Sequence, residues 1–138
     1  KDGFSFFNNK KIKKEKNGII LIDPSYEIKD DYEKVIIFIN NNFNQFKNKI
    51  VLIWYPILNR NQTNDFIDGF KRTGIRDILR IEMPITNDSE EKGMTGSGLI
   101  ALNTHKKTAL SLRGSIKELQ TCLQLKDNKK RVIVNYLR

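Results

Sequence analysis

Two kinds of apolar spacing alternate along the chain. Ile19–Ile22 is an unbroken apolar run after Gly18, and K-I-V-L-I-W-Y (49–55) is a second, bounded by Pro56. Short unbroken runs of this kind predict strands buried on both faces. Between them Tyr32, Val35, Ile36, Ile39 and Phe43 recur at helical spacing, which predicts a helix from Asp30 to about Phe46. Phe66, Ile67 and Phe70 mark a second helix over 59–73, and Gly74 stands just past its end, where a left-handed cap is usual. A looser alternation (Ile75, Ile78, Leu79, Ile81, Met83) predicts a third strand closed by Pro84. Residues 87–98 read as a polar loop with three glycines, and G-M-T-G-S-G (93–98) as a turn into a fourth strand over 99–103. A helix over 109–125 and a last strand over 131–136 complete the pattern. Strands alternating with helices predict an α/β fold whose sheet is largely parallel at its start. No internal repeat or Pro/Ser/Gly-rich linker divides residues 1–138, so they read as one domain with one core.

Charge adds a direction. The 25 basic and 16 acidic side chains leave a net charge of +9, and a surplus of that size favours a polyanionic partner, most commonly nucleic acid. The densest run, K-K-I-K-K-E-K (10–16), is the first candidate for phosphate contact. Arg72, Arg76 and Arg80, with Lys71, form a second candidate patch, and a solvated face explains them equally well. Cys122 is the single cysteine and His105 the single histidine, so neither an internal disulfide nor a Cys/His zinc site is expected, and no metal ligand is assigned. The lack of a disulfide framework fits a reducing cytoplasm. No apolar run approaches the length that spans a membrane. Trp54 and Tyr55 are expected to pack, and His105 to lie in a surface loop.

The candidate chemistry follows the first apolar run directly, in Asp23-Pro24-Ser25-Tyr26. In open α/β sheets, ligands bind beyond the carboxyl ends of strands. Pro24 fixes its own φ and biases Asp23 toward an extended conformation, which sets the carboxylate on a stiff turn. That carboxylate can accept a hydrogen bond from an exocyclic amine, and the Pro24 carbonyl can accept a second. Tyr26 can present a flat face to a base. Taken alone, the tetrapeptide reads as an ordinary strand-ending turn rather than a site, because Asp-Pro commonly opens turns.

The longer stretch I-L-I-D-P-S-Y-E-I-K-D-D-Y resembles the end of the fourth strand in amino-methyltransferases that use S-adenosylmethionine, whose signature is Asp/Asn-Pro-Pro-Tyr/Phe. With W-Y-P-I (54–57), T-G-I-R-D-I-L-R-I-E (73–82) and G-M-T-G-S-G-L-I-A-L-N (93–103) in order, most of the chain resembles the RlmJ-type 23S rRNA adenine-N6 methyltransferases. The resemblance implies the carboxyl-terminal part of a class I, Rossmann-like methyltransferase sheet, with the first strands and the glycine turn for the donor's methionine end missing. It implies S-adenosyl-L-methionine as methyl donor and the N6 amine of an adenine in 23S rRNA, free of protein, as acceptor. By that resemblance Asp23 receives the amino hydrogen bond and acts as proton acceptor, the Pro24 carbonyl helps hold the amine, and Tyr26 stacks on the target base. Asp2 and Gly3, in K-D-G-F, match the acidic turn against the adenosyl group, and Asp23 is counted there too. Ser25 departs from the signature: where the family has a second proline it adds an N–H and removes stiffness. A cytoplasmic monomer, inactive without the missing half, is the expectation. A DNA adenine-N6 methyltransferase shares Asp-Pro-x-Tyr, although the W-Y-P-I and G-M-T-G-S-G blocks favour the rRNA branch. A non-catalytic, basic nucleic-acid-binding remnant is the alternative from another class.

Overall fold

The computed structural model describes residues 3, 17–28, 30–88 and 93–137. Five strands form one sheet in the order β1-β2-β4-β3-β5, where β1 is Gly18–Ile22, β2 Lys49–Ile57, β3 Leu79–Pro84, β4 Gly96–Leu102 and β5 Ile133–Tyr136. β1 and β2 are parallel, with Ile22 opposite Ile53 as the last pair. β4 runs antiparallel between β2 and β3, and β5 is antiparallel to β3. The architecture is mixed α/β, parallel at its start as the alternating pattern predicts.

Helices α1 (Asp30–Asn42) and α2 (Arg60–Arg72) pack one face of this sheet. Three acids in the first turn of α1, Asp30, Asp31 and Glu33, suit the positive end of its dipole. Its buried stripe is Tyr32, Val35 and Ile39, and a 3-10 turn, Phe43–Phe46, carries the chain into β2. Asn59 caps α2 by accepting hydrogen bonds from the Asn61 and Gln62 amides at 2.9 and 3.3 Å. Gly74 takes the left-handed φ of 71° just beyond its end. The main core joins Tyr32, Val35 and Ile39 to Phe66, Ile67 and Phe70 over Val51, Ile53, Tyr55 and Ile57. On the other face α3 (Lys106–Leu123) covers a smaller core of Leu79, Ile81, Ala101 and Val134. His105 caps α3, its Nδ1 accepting from the Lys107 amide at 3.2 Å. Cys122 is exposed on that helix.

Several expectations need correction. β1 is not buried on both faces: Ile19 is 69% and Leu21 64% exposed. These two side chains lie on the α3 face beyond the part that helix covers, and among the described residues β1 is the edge of the sheet. Second, β2 does not stop at Pro56 but runs through it. The Ile57 carbonyl accepts from the Thr95 amide on the β4 side, so residues 54 and 56 present their backbone groups to the β1 side, where β1 has already ended. The missing Pro56 N–H therefore removes no ladder bond. Third, Ile75–Ile78 is not strand, because Asp77 takes a left-handed φ of 58°, and Gly96–Gly98 is strand rather than turn. A Cβ on Gly96 would lie 2.6 Å from the Pro84 Cα, and one on Gly98 would meet the Tyr55 ring, 2.5 Å from its hydroxyl oxygen. These glycines are places of close approach inside a sheet.

Candidate active site

Asp23 leaves the carboxyl end of β1, and the chain must turn at once to reach α1. Tyr26 makes that turn with φ 54°, a left-handed value unusual for a side chain of this size. The conformation drops its ring into the core, where it is 4% exposed. The ring centroid lies 4.5 Å from that of Tyr32, 6.1 Å from Trp54 and 6.5 Å from Phe66. Its hydroxyl donates to the Trp54 carbonyl at 2.6 Å, and the Tyr32 hydroxyl donates to the Pro56 carbonyl at 3.2 Å. Those are the two β2 carbonyls left without a strand partner where β1 ends. Two tyrosines thus continue the edge of the sheet with their side chains and fix the loop between them. Burial raises both phenols; Tyr32 reaches about 12, and Tyr26 rises further, with the charges of Tyr32, Asp23 and Asp31 adding to the effect.

The loop so held leaves Asp23 and Ser25 exposed and Pro24 half-buried. Among the described residues, no hydrogen bond or ion pair engages the Asp23 carboxylate, and no loop hydrogen bond uses the Pro24 carbonyl. Two acceptors therefore stand open side by side at the end of a strand. In this conformation Tyr26 offers no face to a base, because both sides of its ring lie in the core. Gly3 is exposed, with nothing within 4 Å of a Cβ built on it. Asp2 and the Lys10–Lys16 run lie outside the described residues.

A second polar cluster was not legible in the spacing of residues. Glu82 on β3 is 1% exposed. It accepts from Arg60 at 2.8 Å through Oε2, and through Oε1 from Arg80 Nη2 at 2.7 Å and the Tyr55 hydroxyl at 2.9 Å. Arg60 also meets Asp88 at 3.2 Å, and Lys130 meets Asp88 at 2.7 Å. Burial works against the Arg60 charge, and hydrogen bonds to Glu82 and Asp88 overcome it, leaving its pKa raised. The cluster clamps the start of α2 to β3 and to the segment before β5. Its members are far apart in sequence, so only an acid inside an apolar strand could have hinted at it.

Among the described residues, a cleft of about 750 Å³ between α1 and α2 carries Asp30, Glu33 and Asp65 on its walls, with Arg72 among them. A groove of about 660 Å³ along β5 carries Lys71, Arg80, Lys106 and Arg113. A third, of about 500 Å³, includes Arg76 and Asp77. The candidate patch of Lys71, Arg72, Arg76 and Arg80 is thus dispersed over three clefts. Neither Asp23 nor Gly3 lines any of them.

A family model described as ribosomal RNA large subunit methyltransferase D, RlmJ, matches residues 1–131. The chain is 44% identical over 90 residues to ribosomal RNA large subunit methyltransferase J of Haemophilus influenzae, covering 65% of this chain and 32% of that protein. It is 41% identical over 102 residues to the Escherichia coli protein of the same name, covering 74% of this chain and 36% of the relative. A crystal structure of a Legionella pneumophila protein superposes with a TM-score of 0.81 at 27% identity, over 99% of this chain and 49% of that one. The chain thus spans about a third of the length of the curated relatives it matches and about half of that solved structure.

Proposed function

The chain belongs to the RlmJ family of ribosomal RNA large subunit methyltransferases, and from that premise we propose that it carries the amine-holding loop of an enzyme that methylates adenine N6 in 23S rRNA. The observation that carries the proposal is the pair of uncommitted acceptors at the end of β1. The two N6 hydrogens of an adenine amine donate to the Asp23 carboxylate and the Pro24 carbonyl. Both bonds draw the nitrogen lone pair out of conjugation with the ring, and fixing the nitrogen in one place converts an encounter into a positioned reaction. One N6 proton must leave once the new N–C bond forms, and the Asp23 carboxylate is the acceptor beside it. S-adenosyl-L-methionine, when bound, supplies the electrophilic methyl group; Asp23, Gly3 and Asp2 are the residues of this chain proposed to lie against it. Ser25 adds an exposed N–H to the turn, while the Tyr26 and Tyr32 hydroxyls supply stiffness that a second proline would otherwise give.

We read the chain as the carboxyl-terminal portion of that enzyme. Ile19 and Leu21 on β1 and Ile50 on β2 form an exposed apolar strip, 69, 64 and 38% accessible, on the α3 face of the sheet beyond the part that helix covers. Among the described residues, β1 also ends the sheet with one edge unpaired. An apolar strip beside an open parallel edge asks for cover by further strands and helices, and the relatives' greater length supplies a source. The methyl transfer is accordingly a property of the full-length protein. Asp23→Asn tests the loop: RNA binding should persist while incorporation of labelled methyl falls by about 100-fold or more. Unchanged incorporation would remove Asp23 from the reaction.

A further inference from the structure

We propose that the groove along β5 seats the phosphate backbone of the RNA at a distance from the adenine-holding loop. The proposal rests on the rRNA reading for the identity of its polyanion and on the groove itself for the rest. Four cations from three elements converge there: Lys71 from the end of α2, Arg80 from β3, and Lys106 and Arg113 from the first half of α3. Among the described residues, no carboxylate lines the groove. Lys71 and Arg80 are already engaged, by Asp68 at 2.8 Å and Glu82 at 2.7 Å. Lys106 and Arg113 are exposed, and among the described residues neither has a carboxylate within ion-pair distance.

Arg113 is also held in place. Its Nη2 donates to the Val134 carbonyl at 2.9 Å, which fixes the guanidinium beside the outermost strand. Tyr136 and Asn135 add a half-exposed aromatic ring and an exposed amide, and Ala109, Leu110, Val134 and Leu137 supply an apolar floor. Surface charge needed only for solubility would intersperse both signs; this groove holds one. No buried set of donors and acceptors is present to read base edges, so the surface suits sequence-independent backbone contact. Ile22, Ile53, Ile100, Arg80 and Asn135 stand in one row of register. Four strand spacings therefore separate Asp23's neighbour from the groove, about 19 Å at about 4.8 Å each. RNA flanking a target adenine covers that distance within one binding event.

The test is a salt titration of binding between the full-length protein and a fluorescein-labelled RNA hairpin. Lys106→Gln combined with Arg113→Gln removes two charges and leaves an N–H donor at each site. Loss of two phosphate contacts lowers the slope of log K against log salt by about 1.4–1.8, equivalent to about 25-fold or more in affinity at about 0.1 M salt and converging near 1 M. Lys126→Gln with Lys129→Gln, the same charge change outside the groove, should leave the slope nearly unaltered. Arg113→Lys, paired with wild-type Lys106, should keep most of the affinity. Equal losses in the two double variants would mean diffuse charge and overturn the proposal, as would an unchanged slope. Failure of the adenine-N6 reading is separate: it would appear as absent N6 methylation by a protein whose groove variants still weaken RNA binding.

Discussion

Replacing Tyr26 separates two uses of one ring. If the ring lies in the core, as the structure has it, its loss costs stability; if it stands in solvent to stack on a base, its loss costs almost none. Tyr26→Phe removes the 2.6 Å hydrogen bond and leaves the Trp54 carbonyl without a protein partner; a part-buried acceptor so orphaned costs about 1–2 kcal/mol. Tyr26→Ala also empties the space beside Tyr32, Trp54 and Phe66, and large-to-small aromatic changes in cores cost about 3–5 kcal/mol. The left-handed φ of 54° adds a distinguishing sign. Tyr26→Gly removes still more side chain, yet it should be about 1 kcal/mol less damaging than Tyr26→Ala, because glycine adopts this conformation without strain. Equilibrium urea unfolding of the full-length protein, followed by circular dichroism, measures all three. A Tyr26→Ala variant within about 0.5 kcal/mol of wild type, the range of ordinary surface substitutions, would refute the buried ring and leave it free for stacking.

Two further outcomes follow from the packing. Gly98→Ala should lower the unfolding midpoint by the equivalent of about 1–3 kcal/mol, because the added methyl meets the fully buried Tyr55 ring; a midpoint equal to wild type would mean that the β2–β4 contact is looser than described. Burial alone would raise the Asp88 carboxyl, but the Lys130 and Arg60 hydrogen bonds hold it below its ordinary 3.8. A carboxyl depressed in the folded state contributes its stability above the unfolded pKa and loses it as pH falls through the folded one. The stability difference between wild type and Asp88→Asn should therefore be constant from neutral pH to about 4 and shrink below that; a difference that persists to pH 2 would contradict the clamp.

Much of the fold could be read from spacing, because apolar runs and helical stripes record burial directly. The limits of α2 were legible since Asn59, Thr73 and Gly74 are local signals for its ends. What spacing could not show depends on partners distant in sequence. Pro56 ended the second strand on paper but not in space, because the missing N–H points where no strand follows. Gly96 and Gly98 looked like turn residues, and only the Pro84 backbone and the Tyr55 ring explain why they sit in a strand. Ile19 and Leu21 carry the same apolar signal as buried residues, yet no described element covers them. At the site, Asp-Pro marked the end of β1, while the inward turn of Tyr26 needed knowledge of the Trp54 carbonyl it serves. Glu82, paired with Arg60 and Arg80 across three elements, had no local signature beyond a charge in an apolar strand.

The central claim is that the Asp23-Pro24 loop holds an adenine amine of 23S rRNA for methylation. Full-length protein should be incubated with deproteinised 23S rRNA and labelled S-adenosyl-L-methionine, and the digested nucleosides separated by liquid chromatography and mass spectrometry. The account predicts that the label appears as N6-methyladenosine and that Asp23→Ala reduces it by about 100-fold or more. Label in any other nucleoside, or equal incorporation by wild type and Asp23→Ala, would contradict it.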